Sequence, residues 1–145
     1  MKKKTKILLI IFIFLSLSNV LSAEDNFFEE GKKKYIEKKY DEAKFLFQRN
    51  IVFNPKNAGS YLYLAKIFNV EENKKEEEKN IKTTLLLDPK NEEATYLLME
   101  IELKKSNYSE VKELSEKFSK ICKNMCDKKD LILDSLKNLE PKNES

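Results

Sequence analysis

The sequence predicts an all-α fold built from repeated pairs of helices. Only 2 of the 145 residues are Gly and 3 are Pro, whereas 41% are hydrophobic and 37% are charged. Scarce Gly and Pro with abundant Lys, Glu and Leu favour helices over the many tight turns of an all-β domain. The segment Asn54–Asn57 (Asn-Pro-Lys-Asn) recurs 34 residues later as Asp88–Asn91 (Asp-Pro-Lys-Asn). A fixed period of this length is typical of stacked pairs of antiparallel helices.

The first residues have the three-part pattern of a secretory signal peptide. Four lysines within residues 1–6 precede an apolar run at 7–17, and small residues lead up to Ala23. Even when it is extended to Val20, the apolar run would span about 21 Å as a helix, less than the ~30 Å of a membrane core. We therefore expect residues 1–23 to be a signal peptide that is cleaved after Ala23. The alternative is an uncleaved signal that anchors the chain to the inner membrane.

Removal of the signal peptide changes the charge balance of the chain. The full sequence has 28 basic and 25 acidic residues, whereas the segment 24–145 has 24 basic residues against the same 25 acidic ones. A nearly neutral chain with interleaved signs has no broad positive field to attract nucleic acid, and Arg49 is its only arginine. We expect no nucleic-acid partner, and contact with a membrane only through an uncleaved signal segment.

Three units of 34 residues cover most of the chain, at about 24–57, 58–91 and 92–125. The first unit has aromatic, small and proline residues at the positions that define a known repeat: Phe27, Phe28, Gly31, Tyr35, Tyr40, Ala43, Phe47 and Pro55. Through these residues the chain resembles the tetratricopeptide-repeat proteins, in which each unit is a pair of antiparallel helices. The resemblance implies a superhelix of three such repeats. An unrelated helical bundle is the alternative fold.

The repeats differ in how closely their two helices can pack. Gly31 lies within the first helix of the first unit, where a side chain would hold the second helix away, and Ala43 is the small residue opposite. The second unit has Lys74 and Glu77 where the first has Tyr40 and Ala43. These charged residues predict that the two helices of the second unit pack less closely around Glu77. The third unit has no closing proline.

A final helix is predicted beyond the third repeat. Ile132, Leu136 and Leu139 fall on one helical stripe within residues 127–139. A stack of repeats needs a terminal helix with one polar face to cover its last unit. We expect residues 127–139 to cap a repeat domain that spans 24–139, and residues 140–145 to form a disordered tail.

The resemblance also implies a concave groove that is lined by the first helix of each pair and that holds a peptide or helix of a partner. Alignment of the three units places nine residues on this surface: Phe28, Lys32, Tyr35, Leu62, Lys66, Asn69, Tyr96, Glu100 and Leu103. Aromatic and aliphatic anchors ringed by charge are typical of surfaces that bind partners. The alternative is that some of these side chains pack against each other within so short a stack.

One subtype of partner binding is excluded by the residues themselves. Tetratricopeptide co-chaperones hold a C-terminal carboxylate with basic and amide side chains of the first helices. The corresponding positions here are Phe28, Lys32, Leu62, Tyr96 and Glu100. Lys32 is the only one of suitable charge, and Glu100 would repel a carboxylate. The family's carboxylate clamp is therefore absent.

The two cysteines, Cys122 and Cys126, are four residues apart at the end of the third unit. In an exported chain they could form a local disulfide, stay as two thiols, or link to a partner, and the spacing leaves these options open. The chain has no histidine. This excludes catalysis and metal binding by histidine, and the sequence has no Gly-rich phosphate loop or nucleophile elbow. We expect no catalytic residue, no metal site and no cofactor.

Together these features predict a non-catalytic adaptor of the cell envelope or periplasm, periplasmic or secreted. It would bind a partner protein or peptide in the groove of its repeats. The alternative is a homo-oligomer, in which the helix 127–139 of one copy occupies the groove of a neighbour.

Overall fold

The computed structural model describes residues 26–139 of the chain. This segment contains seven helices and no strand. The expected signal peptide at 1–23 and the expected disordered tail at 140–145 lie outside these residues. Helix α1 includes residues 26–36. The other helices are α2 (Tyr40–Phe53), α3 (Ala58–Val70), α4 (Lys74–Leu87), α5 (Glu92–Lys104), α6 (Tyr108–Ile121) and α7 (Asp127–Leu139). The prediction of an all-α fold with three helix pairs and a final helix is confirmed.

The helix boundaries follow the period of the sequence. The second helices of the three pairs begin at Tyr40, Lys74 and Tyr108, each 34 residues after the one before. α7 begins at Asp127, 35 residues after the start of α5 at Glu92. The final helix therefore occupies the sequence position of the first helix of a fourth pair. None of the helices within residues 26–139 is both long and apolar enough to span a membrane.

The turn between the two helices has the same backbone geometry in all three pairs. Lys38, Glu72 and Ser106, which occupy one repeat position, have left-handed φ values of 59°, 59° and 60°. In each turn the N–H of the next residue donates to the carbonyl five positions earlier, at 2.9 Å. This is the hydrogen bond of a Schellman motif, which usually places glycine at the left-handed residue. Here three non-glycine residues adopt the left-handed conformation, at a cost of about 1–2 kcal/mol each.

The first helices of the second and third pairs begin with asparagine caps. The side-chain oxygen of Asn57 accepts the backbone N–H of Ser60 at 2.9 Å. Asn91 accepts the N–H of Ala94 at the same distance. Such caps satisfy amide groups that have no partner within the helix. The repeated Pro-Lys-Asn segments therefore end one helix pair and start the next.

The chain divides between Tyr63 and Leu64 into two compact units. The core of the first unit is aromatic. The ring of Phe47, which is fully buried, stacks on Tyr63 at 4.9 Å between centroids and contacts Phe28 at 5.9 Å. Other buried apolar residues of this unit are Ala43, Leu46 and Leu62.

The second unit has an aliphatic core formed by packing of α5 against α4 and α6, and of α7 against α5 and α6. Its buried apolar residues are Leu64, Ala65, Ile67, Ile81, Ala94, Leu98, Met99, Ile101, Val111, Leu114, Phe118, Ile132 and Leu136. In α7, Ile132 and Leu136 are 5% and 3% exposed, whereas Leu139, placed on the same stripe by the sequence, is 55% exposed. The docked face of α7 is therefore shorter than its hydrophobic stripe.

The expectation of looser packing around Glu77 is wrong. The residue is only 4% exposed, although it replaces the Ala43 of the first repeat. Its carboxylate accepts hydrogen bonds from Asn69 at 2.5 Å and from Lys74 at 3.2 Å. Burial of a carboxylate is tolerated when its oxygens are paired and hydrogen-bonded. A polar contact therefore joins α3 and α4 where the first pair uses a small residue.

The close approach of α1 to α2 predicts the effect of a single methyl group at Gly31. A Cβ atom there would lie 2.7 Å from Cε1 of Phe47, whose buried ring is held by Tyr63 and Phe28. Alanine favours helix by about 1 kcal/mol over glycine, but overpacking costs about 1–3 kcal/mol. We expect Gly31→Ala to lower the free energy of unfolding by up to about 2 kcal/mol in urea titrations.

Gly59→Ala is the matched control. Its Cβ would lie 2.6 Å from Cζ of Phe28. The Phe28 ring is only half-buried, so its far end can move aside, and we expect a smaller loss of stability. A Gly31→Ala protein more stable than the parent would contradict the close contact at Phe47.

Candidate functional site

The nine residues of the predicted groove are distributed over both compact units. Phe28, Lys32, Tyr35 and Leu62 belong to the first unit, and the remaining five belong to the second. In the first unit, the Lys32 ammonium lies 5.0 Å from the centroid of the Phe28 ring and 2.7 Å from the carboxylate of Glu29. The Lys32–Glu29 ion pair therefore places its cation over the half-buried ring of Phe28.

The aromatic residues of α1 meet a tyrosine of α3 that the sequence analysis did not select. Tyr63 lies 6.0 Å from Phe28 and 5.2 Å from Tyr35, in edge-on contacts between ring centroids. Leu62, which was assigned to the groove, is only 7% exposed and is part of the core. Its assignment to the binding surface needs correction, because a buried side chain is not available to a partner. The sequence signal for Tyr63 is the pair of tyrosines on either side of Leu62.

A cleft of about 500 Å³ lies beside this aromatic cluster, entirely within the first unit. It is lined by Glu29, Lys32, Lys33, Ile36, Glu37 and Tyr63. We call it the α1 cleft. Ile36 is 77% exposed and supplies the aliphatic part of the cleft lining. The cleft combines an apolar contact area with charges of both signs.

In the second unit, the predicted groove residues take part in polar contacts within the protein. Lys66 forms an ion pair of 2.7 Å with Glu93, and the two side chains are 25% and 38% exposed. Asn69 donates to the buried carboxylate of Glu77, so its amide stabilises the α3–α4 contact. Leu103 is half-buried. Asn69 therefore packs within the protein, which is the alternative stated for the groove residues. The charge of Lys66 is neutralised by Glu93.

Tyr96 and Glu100 form one polar pair on α5. The Tyr96 hydroxyl donates to the Glu100 carboxylate at 2.8 Å. Burial of the phenol, this hydrogen bond, and the negative charges of Glu100 and Asp127 raise the pKa of Tyr96 to about 12. The hydroxyl therefore stays protonated and donates a hydrogen bond at every physiological pH. That Glu100 would repel a partner's C-terminal carboxylate stays a prediction.

Metal binding finds no support in the described part of the chain. No group of three or more acidic, cysteine or histidine side chains within residues 26–139 is arranged to hold a metal ion.

Comparison of the whole fold with solved structures identifies its architecture. No protein-family model matches the sequence, and no curated protein has a matching sequence. The tetratricopeptide-repeat (TPR) domain of Arabidopsis OM64 is similar over 81% of this chain and 96% of its own, at 19% identity and a TM-score of 0.70. The TPR2B domain of yeast Sti1, in a complex with pHsp70, is similar over 81% and 98%, at 13% identity and a TM-score of 0.70. The chain has the tetratricopeptide-repeat fold.

A bacterial chaperone has the same architecture. The type III secretion chaperone SycD of Yersinia enterocolitica, in complex with a peptide of the translocator YopD, is similar over 79% of this chain and 89% of its own. The identity is 14% and the TM-score is 0.67. In this fold, the predicted groove residues lie on α1, α3 and α5, the first helices of the three pairs.

The third tetratricopeptide unit ends in a disulfide. Cys122 and Cys126 are bonded, with their Cα atoms 5.3 Å apart, and the chain contains no further cysteine. The bond closes a ring over the segment 122–126, which connects α6 to α7. We call this segment the α6–α7 joint.

The carboxylate of Glu92, the first residue of α5, holds the backbone of the same joint. It accepts the N–H of Lys123 at 2.7 Å and the N–H of Asn124 at 3.2 Å. The Asn124 side-chain amide adds a hydrogen bond at 3.1 Å. These hydrogen bonds, of which that from Lys123 is the strongest, hold the pKa of Glu92 below its ordinary range. Lys90, Lys120 and Lys123 line a cleft of about 270 Å³ with this carboxylate.

The lowered pKa of Glu92 predicts a pH dependence of stability. Because the folded protein favours the ionised carboxylate, its contribution is present above pH ~4.5 and is lost as the pH falls through the lowered pKa. Glu92→Gln removes the negative charge and one acceptor. We expect the variant to unfold at lower urea than the parent near pH ~7, and the difference to shrink near pH ~3.

The control for this measurement is Glu113→Gln, which changes an exposed glutamate of α6. Among the described residues the Glu113 side chain has no hydrogen-bond partner, so its substitution should leave the midpoint unchanged at both pH values. If Glu92→Gln has the same urea midpoint as the parent at neutral pH, the carboxylate does not stabilise the joint.

Proposed function

We propose that this protein is a non-catalytic adaptor that binds a peptide or helix of a partner protein in the α1 cleft. The observation that carries this proposal is the exposed Ile36 in one cleft with Tyr63, whose ring packs against those of Phe28, Tyr35 and Phe47. Apolar anchors of a partner gain most where a preformed apolar area is surrounded by polar groups that exclude water. Ile36 and the half-buried Tyr63 provide such an area.

The charges around the cleft favour a partner segment of mixed charge. Lys32 is already neutralised by Glu29, and Glu37 by Lys39 at 2.9 Å. The hydrogen bond from Lys39 holds the pKa of Glu37 below its ordinary range, so this carboxylate is charged at neutral pH. Lys33 has no ion-pair partner among the described residues. It is therefore the cation that is available for a carboxylate of the partner.

Two of the similar structures are complexes, SycD with a peptide of YopD and the Sti1 domain with pHsp70. They support the proposal that this chain also binds a protein segment. At 13–14% identity they do not indicate which one.

The α1 cleft can be tested with two exposed residues of the first unit. Ile36 and Val52 are both β-branched and both 77% exposed, but Val52 lies on α2 and does not line the cleft. A photo-crosslinking amino acid at each position, followed by mass spectrometry of the products from native cells, should capture a recurring partner from position 36 and not from position 52. With the captured partner purified, Ile36→Asp should weaken its binding by at least about tenfold, and Val52→Asp should not.

Equal capture from both positions, or equal affinities of the two variants, would contradict binding in the α1 cleft. Capture of only a second copy of this chain would instead favour the homo-oligomer. Leu131 and Leu139, which are 56% and 55% exposed on α7, are the residues of that alternative.

We also propose that the chain is exported and that its signal peptide is removed after Ala23. The pattern of residues 1–23 and the Cys122–Cys126 disulfide support this, since disulfides persist mainly in oxidising compartments. N-terminal sequencing of the native protein should begin at Glu24, in the periplasmic or secreted fraction. A protein that begins at Met1 and stays with the membrane would show the signal-anchored form instead.

A further inference from the structure

The α6–α7 joint lacks the residues that close the other two joints of the repeat. Pro55 and Pro89 follow α2 and α4, but the corresponding residue after α6 is Lys123. The asparagine caps are replaced by Met125, whose side chain has no strong hydrogen-bond acceptor. A sequence that has lost both the rigid turn and the cap needs another way to direct the chain into α7.

The backbone of this joint also follows a different path. The residue after α2, Asn54, has φ −129° and ψ 75°, and Asp88 after α4 has φ −132° and ψ 85°. Cys122 after α6 has φ −64° and ψ 143°. The disulfide thus begins at the residue where the third joint departs from the first two.

Two sets of bonds fix the backbone conformation of the α6–α7 joint. The covalent one is the ring closed by Cys122 and Cys126, and the other is the set of hydrogen bonds to Glu92. The amides that reach Glu92 belong to Lys123 and Asn124, which are inside the ring. Closing a ring restricts the conformations of the residues within it. The disulfide therefore positions the donors that the Glu92 carboxylate accepts.

Helix α7 depends on this joint because its own docking is limited. Of its thirteen residues, only Ile132 and Leu136 are buried apolar side chains. At its far end, the carbonyl of Leu139 accepts a hydrogen bond from the exposed Tyr108 hydroxyl at 3.0 Å. An isolated helix of this length is marginal in water. Its helical state therefore depends on its contacts with α5 and α6 and on the direction in which it leaves the joint.

We propose that the Cys122–Cys126 pair is a redox latch for the last helix of the protein. In the disulfide form, the joint is held and α7 covers α5 and α6. In the dithiol form, the backbone of the joint is no longer constrained, and α7 exchanges between docked and released states. Release uncovers the apolar surface of the third pair that Ile132 and Leu136 otherwise bury. This inference does not depend on the adaptor function.

The chemistry of the latch is thiol–disulfide exchange with a dithiol reductant. Cys126 is exposed, so a thiolate of the reductant can attack its sulfur and release Cys122 as a thiolate. The second thiol of the reductant then displaces Cys126 and closes the reductant's own disulfide. Two electrons and two protons pass from the reductant to the protein, which gains two thiols.

The test is hydrogen exchange of the full chain, oxidised and reduced with dithiothreitol, read by mass spectrometry of peptides from α7 and α2. Reduction should speed the exchange of α7 amides by at least about tenfold, and leave α2 in the first unit unchanged. The variant Cys122→Ser with Cys126→Ser should exchange like the reduced parent, with or without dithiothreitol. Protection of α7 that stays within about twofold on reduction would overturn the latch.

A second measurement separates release of the joint from general loss of stability. The pKa of the Glu92 carboxylate can be followed by NMR in both redox states, with Glu113 as the reference. Because Lys123 and Asn124 cease to donate when the joint opens, the pKa of Glu92 should rise toward its ordinary value on reduction. An unchanged pKa would show that the hydrogen bonds survive without the disulfide, and would also overturn the proposal.

Discussion

The fold of this protein depends on a backbone constraint that recurs at one position of each helix pair. Lys38, Glu72 and Ser106 are left-handed, and each ends the first helix so that the chain can return as the second. None of the three is glycine, so each turn costs free energy that the packing of the pair must offset. The turn is therefore maintained by the contact between the helices, and not by the preference of its own residue.

That contact is made in different ways in the two compact units. In the first unit, a glycine lets α1 approach the buried ring of Phe47. In the second, the buried carboxylates of Glu77 and Glu102 each accept hydrogen bonds from an asparagine, Asn69 at 2.5 Å and Asn107 at 2.8 Å. No buried side-chain nitrogen or oxygen in residues 26–139 lacks a hydrogen-bond partner. Polar helix pairs of this kind stay compact because every buried charge is paired.

The surface that could bind a partner is consequently uneven. On α1 and the start of α3, aromatic rings leave Ile36 and Tyr63 accessible beside charged residues. On α5, Tyr96 and Glu100 satisfy each other, and Lys66 of α3 pairs with Glu93. Groups that are already paired contribute less to binding, because a partner must first replace their existing contacts. Lys32 and Glu37 of the α1 cleft are paired as well, so the reason to propose this cleft for the partner segment is its exposed Ile36 and the exposed Lys33.

The number, type and order of the helices follow from the sequence alone, because a 34-residue period records the backbone geometry that every pair shares. The sequence also identified the close approach at Gly31, since a mid-helix glycine is costly unless another element packs against it. Which side chains point outward depends on how the helices pack, and the sequence pattern does not show it. The period assigned Leu62 to the surface, but one residue turns a helix by about 100°, so it is the neighbouring Tyr63 that joins Phe28 and Tyr35. The pairing of Glu92 with the α6–α7 joint was equally hidden, because it connects residues 31 and 32 positions apart whose proximity is set by packing of the helices between them.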